Sequence, residues 1–172
     1  MSAAVRAVRL VEATPDDVEA LVDLHVRVAR DLTRRYGRGH WSGEPTVRAI
    51  LWHLRISRIF VVKSRGRLLA TFRLTTRKPW AIDPAYFTAV RRPLYLVDMA
   101  VDPAKQRLGL GYACMVRVPA IARSWPADAV RLDAYDAPAG AGGFYARCGY
   151  HERGRVTYRG VPLIYFEHVL PA

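Results

Sequence analysis

A chain of 172 residues can bury about two-thirds of its unfolded surface in one core, so a single domain over residues 1–172 is expected. With 51% hydrophobic and 24% charged residues the composition excludes a disordered chain, and no apolar run nears the roughly 20 residues of a membrane-spanning helix. The net charge of +12 favours an anionic partner, whether nucleic acid, a membrane surface or a polyphosphate ligand, although an Arg- and Ala-rich composition alone produces the same excess.

Val5 to Glu12 alternates as a strand, and Thr14-Pro15-Asp16-Asp17 then opens a helix, with Thr14 as N-cap and proline at the first helical position. Leu21, Leu24, Val28 and Leu32 continue it at helical spacing. The segment YGRGHWSGEP, Tyr36 to Pro45, is a glycine-punctuated loop carrying His40 and Trp41, and Thr46 to Ile56 is a second helix. RIFVVKS and RLLATFRLTT flank Arg65-Gly66, a tight hairpin signature. KPWAIDPAYFTAVRRP, Lys78 to Pro93, has three prolines and no sustained period, and reads as an irregular, aromatic-rich insertion.

Leu94 to Val101 is the next strand, Gly109 to Arg123 a helix, Ala129 to Tyr135 a strand and Ala141 to Arg147 a short helix. Two last strands, near Tyr150 to Tyr158 and Pro162 to Leu170, enclose an Arg159-Gly160 turn. The order βααβββαβαββ is that of a mixed α/β (α+β) domain. Pro119 should kink or end the helix it falls in, because it removes the hydrogen bond to Met115. MSAAVRAVRL lacks an apolar stretch followed by a cleavage site, so a cytoplasmic location is expected. Cys114 and Cys148 form no C-x-x-C pair and imply neither a zinc site nor a disulfide, so no metal is expected.

QRLGLG, Gln106 to Gly111, follows the strand LYLVDMAVDP and opens a helix. A dinucleotide fingerprint fails, since Cys114 stands at its third glycine and seven residues separate Val101 from Gly109; a Walker A loop fails for want of Lys-Ser or Lys-Thr. Two readings stay open. The glycines shape a turn, or they let an anion approach backbone N–H groups at a helix N-terminus, with Arg107 as an added cation.

These residues resemble the GNAT superfamily of acetyl-coenzyme A dependent N-acyltransferases, whose loop motif of Gln or Arg, x, x, Gly, x, Gly or Ala is matched by Gln106, Gly109 and Gly111. LYLVDMAVDP is similar to the family's bulged strand, and GFYARCGY to its Tyr-x-x-x-Gly-aromatic motif. The family asparagine seven residues before that tyrosine is replaced by Pro138, so its role toward the cofactor is absent or falls to Asp136 or backbone. The small residues Ala139 to Gly142 suit either close approach to a ligand or a flexible turn. The resemblance implies a mostly antiparallel twisted sheet of about seven strands flanked by about four helices. Acetyl-coenzyme A would bind along Met99, Ala100 and Val101 and along Gln106, Arg107, Leu108, Gly109, Leu110, Gly111 and Tyr112.

An acetyl group would then pass to the primary amine of a small molecule or peptide. An alkylamine of pKa about 10.4 is free base in about one molecule in 2,500 at pH 7, so a base is useful. Asp98 is the candidate, its pKa raised if it is buried among Leu96, Val97 and Met99; the alternatives are an ion-paired carboxylate or a substrate anchor. His40 is a second candidate base, and Asp133 and Asp136 are possible cation anchors. The resemblance assigns Tyr145 as acid toward the departing thiolate, whereas helical spacing alone makes it a core residue. His40, Trp41, Trp80, Tyr86 and Phe87 either wall an acceptor pocket or cap the core. A monomer or homodimer is expected. The rival function is a non-catalytic basic module that binds nucleic acid or senses coenzyme A, but the chain shows neither an RNP-type aromatic motif nor a helix-turn-helix pattern.

Overall fold

Alternating and helically spaced apolar residues resolve into seven strands and four α-helices in the computed structural model, which describes residues 8–171. In chain order the strands are β1 (Leu10–Glu12), β2 (Arg58–Ser64), β3 (Arg67–Thr75), β4 (Pro93–Val101), β5 (Ala129–Tyr135), β6 (His151–Tyr158) and β7 (Val161–Val169), and they lie in one sheet in the order β1-β2-β3-β4-β5-β7-β6. The chain divides into two compact units, one formed by the segment up to Leu74 with Asp98–Met115, the other by Thr75–Val97 with the segment from Val116 onward.

In the first unit, β1 (Leu10–Glu12) pairs antiparallel with β2 (Arg58–Ser64), and β2 with β3 (Arg67–Thr75). The expected strand from Val5 is therefore seen only from Leu10, and Val5 to Ala7 lie outside the described residues. Arg65 and Gly66 both take positive φ, 49° and 74°, the geometry whose twist matches the flanking strands of a two-residue hairpin. A single 3₁₀ turn at Pro15–Asp17 precedes α1 (Val18–Tyr36), and the Asp17 carboxylate accepts from the Thr14 N–H at 3.0 Å. The hydroxyl of Thr46 accepts from the Ala49 N–H at 3.2 Å and so starts α2 (Val47–Ile56). Leu21 and Leu24 of α1 join Ile50 of α2 against Ile59, Val61 and Leu68 of the strands, each such side chain contributing about 1.5–3 kcal/mol by leaving water.

In the second unit, the parallel pairing of β4 (Pro93–Val101) with β5 (Ala129–Tyr135) runs only from Pro93 to Tyr95, opposite Ala129 to Arg131. β5 pairs antiparallel with β7 (Val161–Val169), and β7 with β6 (His151–Tyr158), through a turn at Arg159 and Gly160 of φ 51° and 80°. The irregular insertion contains one 3₁₀ turn, Pro84–Tyr86, and places Ile82 and Phe87 with Tyr95 and Tyr165 in a core cluster.

The helix after the glycine motif, α3 (Leu110–Ser124), runs through Pro119, so of the two expected outcomes, a kink or an end, the end does not occur. The missing backbone bond is outweighed by the side chains this helix buries completely, including Cys114, Val118 and Ala122. The last helix, α4, is short, Gly142–Arg147.

Candidate active site

The glycine motif forms a turn between the end of β4 and α3. A proline and an aspartate set its entry: the Asp102 N–H donates to the Leu69 carbonyl at 2.8 Å, and the buried Asp102 side chain caps the Ala104 N–H and pairs with Arg27 and Arg67 at 3.3 and 3.2 Å. Gln106 then pins the turn, its Nε2 donating to the Val101 carbonyl at 3.1 Å while its Oε1 accepts from Arg35 of α1 at 3.3 Å. The chain reverses through two left-handed residues, Arg107 at φ 60° and Gly109 at φ 83°. Arg107, Leu108 and Gly109 are exposed, and no heavy atom lies within 4 Å of where a Gly109 Cβ would stand. The Ala113 N–H closes the first turn of α3 on the Gly109 carbonyl at 2.9 Å, so the N–H groups before it have no partner within the helix. An open surface over glycine, backbone donors at the start of a 15-residue helix and an adjacent guanidinium fit a polyphosphate.

β4 breaks its extended geometry at Asp98, φ 54°, the residue before Met99. The strand LYLVDMAVDP, which resembles the family's bulged strand, thus carries a left-handed residue just ahead of Met99. The burial expected as a possibility for Asp98 is not found: its side chain is 43% exposed. Its Oδ2 accepts from Arg73 Nε of β3 at 2.8 Å and faces His53 Nδ1 of α2 at 3.8 Å. His25 of α1 lies in the same electrostatic neighbourhood. Burial chiefly lowers the His25 pKa below its usual 6.5, opposed by Asp98 and reinforced by His53 and Arg73. The His53 pKa is likewise lowered, by burial and then Arg73, against the opposing pull of Asp98.

The sequence singles out Asp98 but neither histidine, nor Arg73. His25 and His53 sit on helices at unremarkable spacing, and only the fold brings them to a carboxylate that is 45 residues further along the chain from His53. No group of three or more His, Cys, Asp or Glu among the described residues is arranged to hold a metal ion.

In the second unit Tyr145 lies on α4 with its side chain buried, its ring edge-on to Phe144 and Tyr150 and tilted on Phe166, with centroids 5.2, 6.2 and 6.1 Å away. The small residues before it serve the chain's own closure: a Cβ on Gly140 would stand 1.8 Å from the Tyr135 carbonyl oxygen. Asp136, a candidate to stand in for the family asparagine replaced by Pro138, is engaged by Arg155 Nη1 at 2.9 Å. Of the aromatic candidates, Tyr86 and Phe87 pack on Tyr165 with centroids 5.4 and 5.3 Å away, whereas Trp80 is 89% exposed. Trp41 in the first unit folds over Gly39 and donates to the Gly37 carbonyl at 3.0 Å, and the neighbouring His40 is exposed.

The sequence matches the model of the acetyltransferase (GNAT) family over residues 26–150. None of the curated proteins matches it. Among solved structures, the fold is similar to that of a ribosomal-protein-alanine N-acetyltransferase from Brucella melitensis, with a TM-score of 0.72 at 14% identity over 95% of this chain and 100% of that one. It is also similar to an N-acetyltransferase from Staphylococcus aureus Mu50, TM-score 0.71 at 16% identity over 95% and 99%. The ribosomal-protein-S18-alanine N-acetyltransferase from Escherichia coli gives a TM-score of 0.68 at 16% identity, over 95% of each chain.

Proposed function

Because the chain belongs to the acetyltransferase (GNAT) family, we propose that it is an N-acetyltransferase that moves an acetyl group from acetyl-coenzyme A to the primary amine of a small molecule or peptide. Members of the family use acetyl-coenzyme A, which when bound supplies the acetyl group as an activated thioester. The peptide branch draws support from the fold neighbours named as ribosomal-protein-alanine N-acetyltransferases.

The observation that carries the reading is the turn from Gln106 to Tyr112. Its left-handed Arg107 and Gly109 lead into a helix start whose first backbone N–H groups have no partner within the helix, under an open surface and beside an exposed arginine. We assign the backbone of Arg107, Leu108, Gly109, Leu110, Gly111 and Tyr112 to the phosphates, with Gln106 holding the turn to Val101. Met99, Ala100 and Val101, which follow the left-handed Asp98, offer backbone groups toward the thioester. Tyr145 supplies the proton to the departing thiolate, and the base side of the reaction centres on Asp98.

Thermal melting tests this function without a chosen acceptor. Acetyl-coenzyme A at 100 times its dissociation constant should stabilise the protein by about 2.7 kcal/mol. An unchanged melting temperature at saturating acetyl-coenzyme A rejects the reading.

A further inference from the structure

We propose that His53 is the catalytic base of the acetyl transfer, with Asp98 and Arg73 as the residues that position it. The inference rests on the function proposed above and sharpens its base side from a carboxylate to an imidazole.

Four elements meet at this point: His25 comes from α1, His53 from α2, Arg73 from β3 and Asp98 from the left-handed break in β4. Arg73 is 13% exposed and locks the Asp98 Oδ2 at 2.8 Å, so this carboxylate oxygen is already committed to a guanidinium. The same oxygen lies 3.8 Å from His53 Nδ1, beyond a direct hydrogen bond but close enough for its charge to stabilise the imidazolium when the ring takes a proton. His53 retains 28% exposure, enough for an acceptor amine to reach it, and its partner Asp98 adjoins Met99, where the thioester is assigned. The charged side chains of β2, which also packs on α2, are engaged elsewhere, Arg58 with Glu12 and Lys63 with Asp17. The charges that act on His53 are Arg73, which lowers its pKa, and Asp98, which raises it; His25, whose own pKa His53 lowers, lies in the same neighbourhood. Burial and Arg73 favour the neutral ring at pH 7, the form a base needs, while Asp98 limits the cost of the imidazolium once it forms.

The proton balance is simple. The substrate ammonium gives one proton to Nε2 of His53 and becomes a neutral amine. Its nitrogen lone pair forms the C–N bond as the C–S bond breaks, the proton that nitrogen then sheds is matched by the one the sulfur gains, and the His53 imidazolium returns its proton to water.

Two measurements test the assignment. In a histidine side-chain NMR titration of the wild-type protein, His53 should titrate below the usual 6.5 and move lower still in Asp98→Asn, which removes the Asp98 charge that pulls it upward. An ordinary midpoint that ignores Asp98→Asn overturns the coupling. Turnover is read as coenzyme A release from acetyl-coenzyme A, with a peptide bearing a free N-terminal alanine as amine and with water alone. His53→Gln should lower release about 100-fold or more while coenzyme A affinity by calorimetry stays unchanged, and added imidazole should partly restore His53→Ala. Undiminished release from His53→Gln, with normal coenzyme A binding, overturns the base and leaves the proposed function standing; failure of the wild type itself to bind coenzyme A would instead remove that function.

Discussion

At Tyr145 the ring and the hydroxyl answer to different demands. The ring packs among Phe144, Tyr150 and Phe166 and belongs to the core of its unit, whereas a phenol, neutral at pH 7 with a reference pKa near 10, can donate a proton without first acquiring one. Tyr145→Phe therefore should melt near wild type and bind coenzyme A equally, yet release it about 100-fold more slowly; a variant as fast as wild type in an assay limited by chemistry would return Tyr145 to a packing role. Residues of this kind are legible in the sequence because a local motif marks them: Tyr145 precedes Gly149-Tyr150, and Gly109 and Gly111 stand at a helix start. Asp98 is legible as a charge in an apolar strand, but its positive φ and its escape from burial are not, because both depend on how β4 breaks. His25 and His53 carry no local mark at all. Their chemistry arises only when two helices fold over Arg73 and Asp98.

Among the elements, β7 departs from the alternation of a strand with one face in water: five consecutive residues, Leu163 to Glu167, are buried. The cause is the aromatic insertion. Glu167, fully buried, accepts from Arg131 Nε at 2.9 Å, from Arg153 Nε at 2.9 Å and from the Thr88 N–H at 3.2 Å, so it ties the insertion to β5, β6 and β7. Burial alone would raise its pKa, but hydrogen bonds from Thr88 and Arg131 outweigh it and hold the carboxyl below its usual 4.5. Its ionised form thus adds stability that is full above about pH 4.5 and is lost as pH falls through the lowered value. Glu167→Gln leaves Arg131, 5% exposed, without its counter-charge and should cost about 3–5 kcal/mol in urea unfolding at pH 7; a cost under about 1 kcal/mol would show that the cluster does not hold the insertion. The element order itself is readable from period and turn residues, with Arg65-Gly66 and Arg159-Gly160 marking both hairpins. At Pro119 the local rule, which weighs one hydrogen bond, leaves a kink and an end both open, while the packing of Val118 and Ala122 lets the helix continue.

For the molecule as a whole, the +12 charge is the property that composition alone could not interpret. Many arginines are paired with acids: Arg58 with Glu12, Arg92 with Asp128, Arg131 and Arg153 with Glu167, Arg155 with Asp136 and Glu152. In the first unit the arginines of α1 are paired as well, Arg30 with Glu44 and both Arg34 and Arg35 with Asp31, and Arg35 also reaches Gln106 of the glycine turn. The exposed Arg107 stands in the turn itself, and a cation there raises the local concentration of a polyanion in a salt-dependent way.

Arg107 offers the most direct test, because its backbone and its charge can be separated. At φ 60° it sits where glycine is at ease, so Arg107→Gly keeps the turn while deleting the guanidinium. Acetyl-coenzyme A affinity should be measured by calorimetry in wild type and in Arg107→Gly, at low and at high salt. The expected result is a variant that melts near wild type, binds acetyl-coenzyme A about tenfold more weakly at low salt, a difference of about 1.4 kcal/mol, and shows a shallower salt dependence. Equal affinities and equal salt slopes in the two proteins would contradict a polyphosphate site at the turn from Gln106 to Tyr112.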